Sequence, residues 1–92
     1  MIVKLKAFAR FRDVLGTETE IDQDEGATVA DLLAELLSRS PDLRDQVFDQ
    51  PGEVREDVNV LVNGRHIESL DGLATRLEGG DEVAIFPAVV GG

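Results

Sequence analysis

One amphipathic stripe limits what this 92-residue chain can become. Val29, Leu32, Leu33, Leu36 and Leu37 recur at i, i+3, i+4, i+7 and i+8, which puts five apolar side chains on one helix face. Thr28 precedes them as an N-cap, and Asp31 stands three residues later as the acid of a capping box. Burying five such side chains contributes about 8–15 kcal/mol before chain entropy is subtracted. No other segment has a comparable stripe. The chain therefore has one main helix, and that helix must cover the rest of a single-domain core.

What it covers reads as strands. Val3, Leu5 and Ala7 alternate with Ile2, Lys4, Lys6 and Phe8, a half-buried strand over 2–8. Phe8, Phe11, Val14 and Leu15 then switch to helical spacing, and Gly16 closes that short helix. Residues 17–22 read as a polar strand antiparallel to the first. After the main helix, Pro41 opens a short second helix that uses Leu43, Val47 and Phe48. Residues 49–57 are acidic and carry a Pro51-Gly52 turn, which predicts a loop. Val58, Val60 and Val62 alternate with Asn59 and Leu61 and run into Asn63-Gly64, a hairpin turn, with 65–68 as the return strand. Leu70, Leu73 and Leu77 suggest a helical turn, and Gly79-Gly80-Asp81 a tight turn. Val83 and Ile85 alternate with Ala84 and Phe86 in a last strand that Pro87 ends. Two strands, a helix and three strands make an α+β order. The first and last strands are the strongest and are expected side by side at the centre of the sheet.

Composition removes several chemistries. The absence of cysteine excludes disulfides, thiolate nucleophiles and Cys-ligated metals. A net charge of -10 argues against nucleic acid, whose binding depends on Lys and Arg neutralising phosphates. The charge is uneven: four bases and no acid give +4 over residues 1–12, and five arginines against 19 acids give -14 over the remainder. Such a remainder favours basic partner surfaces. No apolar run approaches the about 20 residues that span a bilayer, and MIVKLKAF lacks a signal-peptide core. A cytoplasmic protein that touches neither membrane nor nucleic acid is expected.

The sequence offers no catalyst. The lone histidine, His66, lies beside the hairpin turn and reads as solvent-exposed. Asp22, Asp24, Glu25 and Gly26 imitate a calcium loop, but the glycine falls one position early and the closing acid is missing. The pairs Asp24-Glu25, Glu56-Asp57 and Asp81-Glu82 sit in turns, where carboxylates are ordinarily solvated. No metal site and no bound cofactor follow from these residues. The end of the sequence is different. Two terminal glycines arise by chance at roughly 0.5%, taking Gly as about 7% of residues. Pro87, Ala88, Val89, Val90, Gly91 and Gly92 form an uncharged run after a clear strand. The boundaries predicted are a domain over 1–86 and a flexible tail over 87–92. Six extended residues reach up to about 20 Å, and glycines let a backbone enter a narrow channel. Such a tail can present the Gly92 α-carboxylate to another protein's active site. Conversion to an acyl adenylate with ATP would open it to sulfide, a persulfide or an amine.

Phe8-Ala9-Arg10 through Leu15-Gly16, the helix opened by Thr28-Val29, Val60-Leu61-Val62-Asn63-Gly64, and the run Leu77-Glu78-Gly79-Gly80-Asp81-Glu82-Val83-Ala84-Ile85-Phe86-Pro87 to Gly91-Gly92 together resemble the ubiquitin-like sulfur-carrier family. That family holds the MoaD-type small subunit of molybdopterin synthase, the thiamine-pathway carrier and the small archaeal modifier proteins. The resemblance implies a β-grasp fold with parallel, central first and last strands. It also implies an E1-like enzyme that adenylates Gly92 using ATP. The family usually has a second proline after Phe-Pro and a small Ser, Thr or Ala before Gly-Gly; Ala88 and Val90 stand there here. The long 39–57 stretch looks like archaeal members, and 19 acids with two lysines point to a salt-adapted archaeal protein.

Ordering six tail residues costs about 6–12 kcal/mol, so a globular face must supply affinity. Strand parity puts Phe86 and Ala84 with Leu61 on the outward side, beside Lys4, Lys6 and Phe8, and makes Phe86 the leading contact. Three readings stay open. A sulfur carrier would bear a Gly92 thiocarboxylate for a molybdopterin precursor, held by the synthase large subunit, or for tRNA. A modifier would join Gly92 to lysines of target proteins, Lys4 and Lys6 being the chain's own candidate acceptors. A plain β-grasp interaction domain would carry its Gly-Gly ending incidentally.

Overall fold

The computed structural model describes residues 1–50 and 53–88. Strand β1 (Ile2–Ala7) leads through a short helix α1 (Arg10–Leu15) to β2 (Glu18–Asp22), which returns antiparallel to β1. The main helix α2 (Val29–Arg39) follows. A 3-10 turn (Pro41–Leu43) continues into a single helical turn, α3 (Arg44–Val47), and a two-stranded ribbon, β3 (Phe48–Gln50) and β4 (Glu53–Val54). Strand β5 (Val58–Val62) and β6 (Arg65–His66) form a hairpin, two 3-10 turns (Ile67–Ser69 and Gly72–Ala74) follow, and β7 (Glu82–Pro87) is the last element among the described residues. The main sheet has the order β2-β1-β7-β5-β6, with β7 parallel to β1 and antiparallel to β5. The first and last strands are neighbours, and the sheet is a ubiquitin-like β-grasp sheet with α2 packed across it.

The helix begins where its cap predicts. Thr28 Oγ1 accepts from the Asp31 N–H at 3.3 Å while Asp31 Oδ2 accepts from the Thr28 N–H at 2.9 Å, a complete capping box. Val29, Leu32, Leu33 and Leu36 are buried against Val3, Leu5, Ala7, Val60, Val83 and Ile85 of the sheet. Leu37, the fifth member of the stripe, is only partly buried at the edge of this core.

The hairpin turn also follows its sequence. Asn63 and Gly64 both take positive φ, at 51° and 84°, the pair of left-handed residues that a right-twisted two-residue hairpin requires. The Asn63 side chain donates to Asp81 Oδ1 and accepts from the Glu82 N–H, each at 2.9 Å. It thereby stitches this turn to the Gly79-Gly80-Asp81 turn that launches β7.

Four local expectations are corrected. The 49–57 stretch is not all loop: Gln50 and Glu53 pair in the ribbon, and the Pro51-Gly52 turn lies outside the described residues. Of the predicted α1 stripe only Phe11 is fully buried; Phe8 precedes the helix, and both it and Val14 are exposed. The return strand stops at His66 rather than residue 68, because Ile67 turns inward to the core and starts a 3-10 turn. Leu77 is buried but lies outside both 3-10 turns; Arg76 beside it bridges antiparallel to Thr28 at the start of α2.

Candidate functional site at the end of the last strand

Strand β7 alternates from Glu82 to Phe86. Val83 and Ile85 point into the core, and Ala84 and Phe86 lie half-buried on the other face. Across the ladder Ala84 stands opposite Leu61 of β5 and Lys6 of β1. Phe86 stacks edge-on to Phe8, with ring centroids 6.2 Å apart and planes at 90°, a favoured aromatic geometry. Phe8, Ala9, Phe86, Pro87 and Ala88 line an open, almost wholly apolar notch. Phe86, Ala84 and Leu61 are thus brought onto one face, and that face runs to the root of the tail.

Proline can stand in this central strand for a specific reason. In the parallel ladder the Phe8 N–H donates to the Ile85 carbonyl at 3.1 Å, so the following bond would run from residue 87 to the Phe8 carbonyl. Pro87 has no N–H to give. The Phe8 carbonyl instead accepts from the Phe11 N–H at 3.2 Å, because β1 ends there and the chain turns into α1. Ala9 makes that turn with φ 53° and ψ -132°, a left-handed conformation that favours glycine. On the β5 side, Val58 stands opposite Pro87, and one residue on the Ala88 N–H donates to the Asp57 carbonyl at 2.7 Å. Val89, Val90, Gly91 and Gly92 lie outside the described residues.

Charged pairs rim the apolar face. Lys6 Nζ lies 2.7 Å from Glu82 Oε1, Lys4 Nζ lies 3.3 Å from Glu18, and Arg10 Nη2 lies 3.7 Å from Asp57. The hydrogen bond to Glu82, reinforced by its charge, raises the Lys6 pKa, and the same bond lowers that of Glu82. Lys6 is therefore held as an ammonium, which is not a nucleophile until it loses a proton. His66 is not the free exposed residue expected: it is half-buried and bonded at both nitrogens. Nδ1 accepts from the Glu68 N–H at 3.2 Å, which leaves Nε2 as the donor to Asn59 Oδ1 at 3.0 Å. This assigns His66 to the hairpin's framework.

Sequence reasoning placed the aromatic face and missed three features of its surroundings. The turn at Ala9 carried no glycine to mark it. The Ala88–Asp57 bond joins backbone groups far apart in the chain. Arg55, which grips Asp57, lies in the acidic 49–57 stretch that was read only as a loop. Among the described residues, no group of three or more His, Asp or Glu side chains is placed to hold a metal ion, and no helix is long and apolar enough to cross a membrane.

Residues 5–92 match the ThiS family. The chain is 43% identical to small archaeal modifier protein 3 of Haloferax volcanii over 100% of both chains. It is 40% identical to the sulfur carrier protein CysO of Mycobacterium tuberculosis over 73% of this chain and 70% of that one. The crystal structure of small archaeal modifier protein 1 from Haloferax volcanii superposes with a TM-score of 0.84 at 36% identity, covering 100% of both chains.

Proposed function

The chain belongs to the ThiS family, and from that premise we propose that the α-carboxylate of Gly92 is its reactive group and that the chemistry on it is done by partner enzymes. The observation that carries the proposal is the placement of an apolar face at the root of an uncharged run, within a family match that extends through residue 92. A carboxylate is inert to nucleophiles. An E1-like adenylating partner binds ATP; a Gly92 oxygen attacks the α-phosphorus, and pyrophosphate leaves. The acyl adenylate then has two fates. Attack by sulfide on the acyl carbon expels AMP and leaves a thiocarboxylate. Attack by a lysine amine expels AMP with loss of a proton and leaves an isopeptide bond. The chain's part is to bind the partner and deliver the carboxylate; ATP belongs to the partner's site.

Both fates have support among the relatives. Small archaeal modifier proteins match 95–100% of this chain, and proteins named sulfur carriers match 73–82% of it. On the sulfur route, the molybdopterin synthase large subunit is the partner that would receive the tail. On the modifier route, Lys4 and Lys6 are the chain's own acceptors, and their pairing with Glu18 and Glu82 favours lysines elsewhere. Phe86, Ala84 and Leu61 form the docking face, since an apolar anchor within a charged rim is how binding energy concentrates.

The test is a mass spectrum of the chain and its conjugates purified from the native cell. An oxygen-to-sulfur change on the C-terminal peptide supports the carrier route, and diglycine remnants on target lysines support the modifier route. A chain that carries neither, in cells where the E1-like partner is active, contradicts the proposal.

A further inference from the structure

Ala88 is the first residue past β7, and its N–H donates to the Asp57 carbonyl at 2.7 Å. The bond extends the β5–β7 ladder one step beyond the strand. The opposite side of β7 gives no equivalent hold, because Pro87 lacks an N–H and the Phe8 carbonyl is already taken. What fixes the root of the tail therefore depends on what fixes Asp57.

Asp57 is fixed by Arg55. The guanidinium grips the carboxylate as a fork, with Nε 2.9 Å from Oδ1 and Nη2 3.4 Å from Oδ2. Its third nitrogen, Nη1, donates to the Asp45 carbonyl at 3.2 Å and lies 3.8 Å from Asp49. The Arg55 N–H donates to the Val47 carbonyl at 2.8 Å, and the Arg55 carbonyl accepts from the Val58 N–H at 3.0 Å. Arg10, at the start of α1, adds a weaker contact to Asp57 Oδ2 at 3.7 Å. The whole excursion from α3 through the ribbon is thus drawn together on Arg55 and offers the tail one carbonyl. The Arg55 fork, helped by the charge of Arg10, lowers the Asp57 pKa, so the carboxylate that the fork needs persists further into acid.

We propose that Arg55 and Asp57 are positioning residues for the C-terminal tail: by presenting the Asp57 carbonyl to Ala88, they fix the point and heading at which the chain leaves the sheet toward Gly92. The inference rests on the reading of Gly92 as the delivered group. A root ordered in advance does not have to be ordered when the partner binds, so the latch lowers the cost of docking and leaves the chemical step alone.

Two measurements test it, one independent of function. In the intact wild-type chain, the Ala88 amide should exchange with solvent at least about fivefold more slowly than an unstructured amide, and Arg55→Ala should remove most of that protection, the scale of one net hydrogen bond. In adenylation by the E1-like partner, Arg55→Ala should raise the KM for the chain by about fivefold with kcat unchanged. That effect should vanish in the Ala88→Pro background, where the N–H is already gone. If Arg55 merely stabilises the ribbon, its effect will add to that of Ala88→Pro instead. If Arg55→Ala does not fold, Arg55→Lys, which keeps the charge without the fork, carries the same comparison. An unprotected wild-type Ala88 amide, or additive KM effects, overturns the proposal. Failure of the wild-type chain to be adenylated at all would instead count against the Gly92 reading and leave the amide data standing.

Discussion

Phe86 keeps one flank against Phe8 and the other open to solvent, so truncating it removes area from the proposed docking face without opening a cavity in the core. Phe86→Ala should weaken binding to the E1-like partner by about tenfold or more and shift the melting temperature by no more than about 4 °C. A large fall in melting temperature with unchanged affinity would assign the ring to the core. Ala9 shows the opposite balance. Its φ of 53° strains an alanine and suits a glycine, and the strain lies in the wall of the notch. Ala9→Gly should raise stability by about 1 kcal/mol in denaturant unfolding, because relief of strain exceeds the added freedom of the unfolded chain. A loss of stability would show that the turn is unstrained. Ala9 was illegible in the sequence for a plain reason: alanine is a good helix former, and it fell within the helical spacing read from Phe8 onward.

Among the elements, α2 was the most legible because two independent signals coincide there, a five-residue stripe and a capping box. Leu33, fully within the core, tests its weight: Leu33→Ala should cost about 2–5 kcal/mol by equilibrium unfolding, and a cost below about 1 kcal/mol would mean the helix is not the sheet's main cover. The β5–β6 hairpin was legible through Asn63-Gly64, a turn with a conformational requirement few residue pairs meet. The β3–β4 ribbon was not. Its strands hold three and two residues, too few to show a period of two, and much of what holds the excursion is one arginine among acids. Local pattern predicts elements that are stabilised locally, and this ribbon depends on Arg55.

Over the whole molecule, charge and topology separate in the same way. The adjacency of β1 and β7 followed from their being the two strongest alternating runs, while their parallel sense came from family resemblance; the sheet order bears out both. The net charge of -10 stays on the surface, and the acids outnumber the bases that pair with them. Added salt should therefore raise the melting temperature by screening that repulsion and, over the same range, weaken association with a basic partner. A melting temperature that falls with salt would mean the exposed ion pairs outweigh the repulsion.

On the function proposed above, a β-grasp body delivers one carboxylate, with a face to dock it and a root to aim it. ATP–pyrophosphate exchange by the E1-like partner tests that most directly. The 92-residue chain should support exchange, and the chain shortened by Gly91 and Gly92 should support none while keeping its fold and its affinity for the partner. Exchange that persists without those two residues would contradict the account.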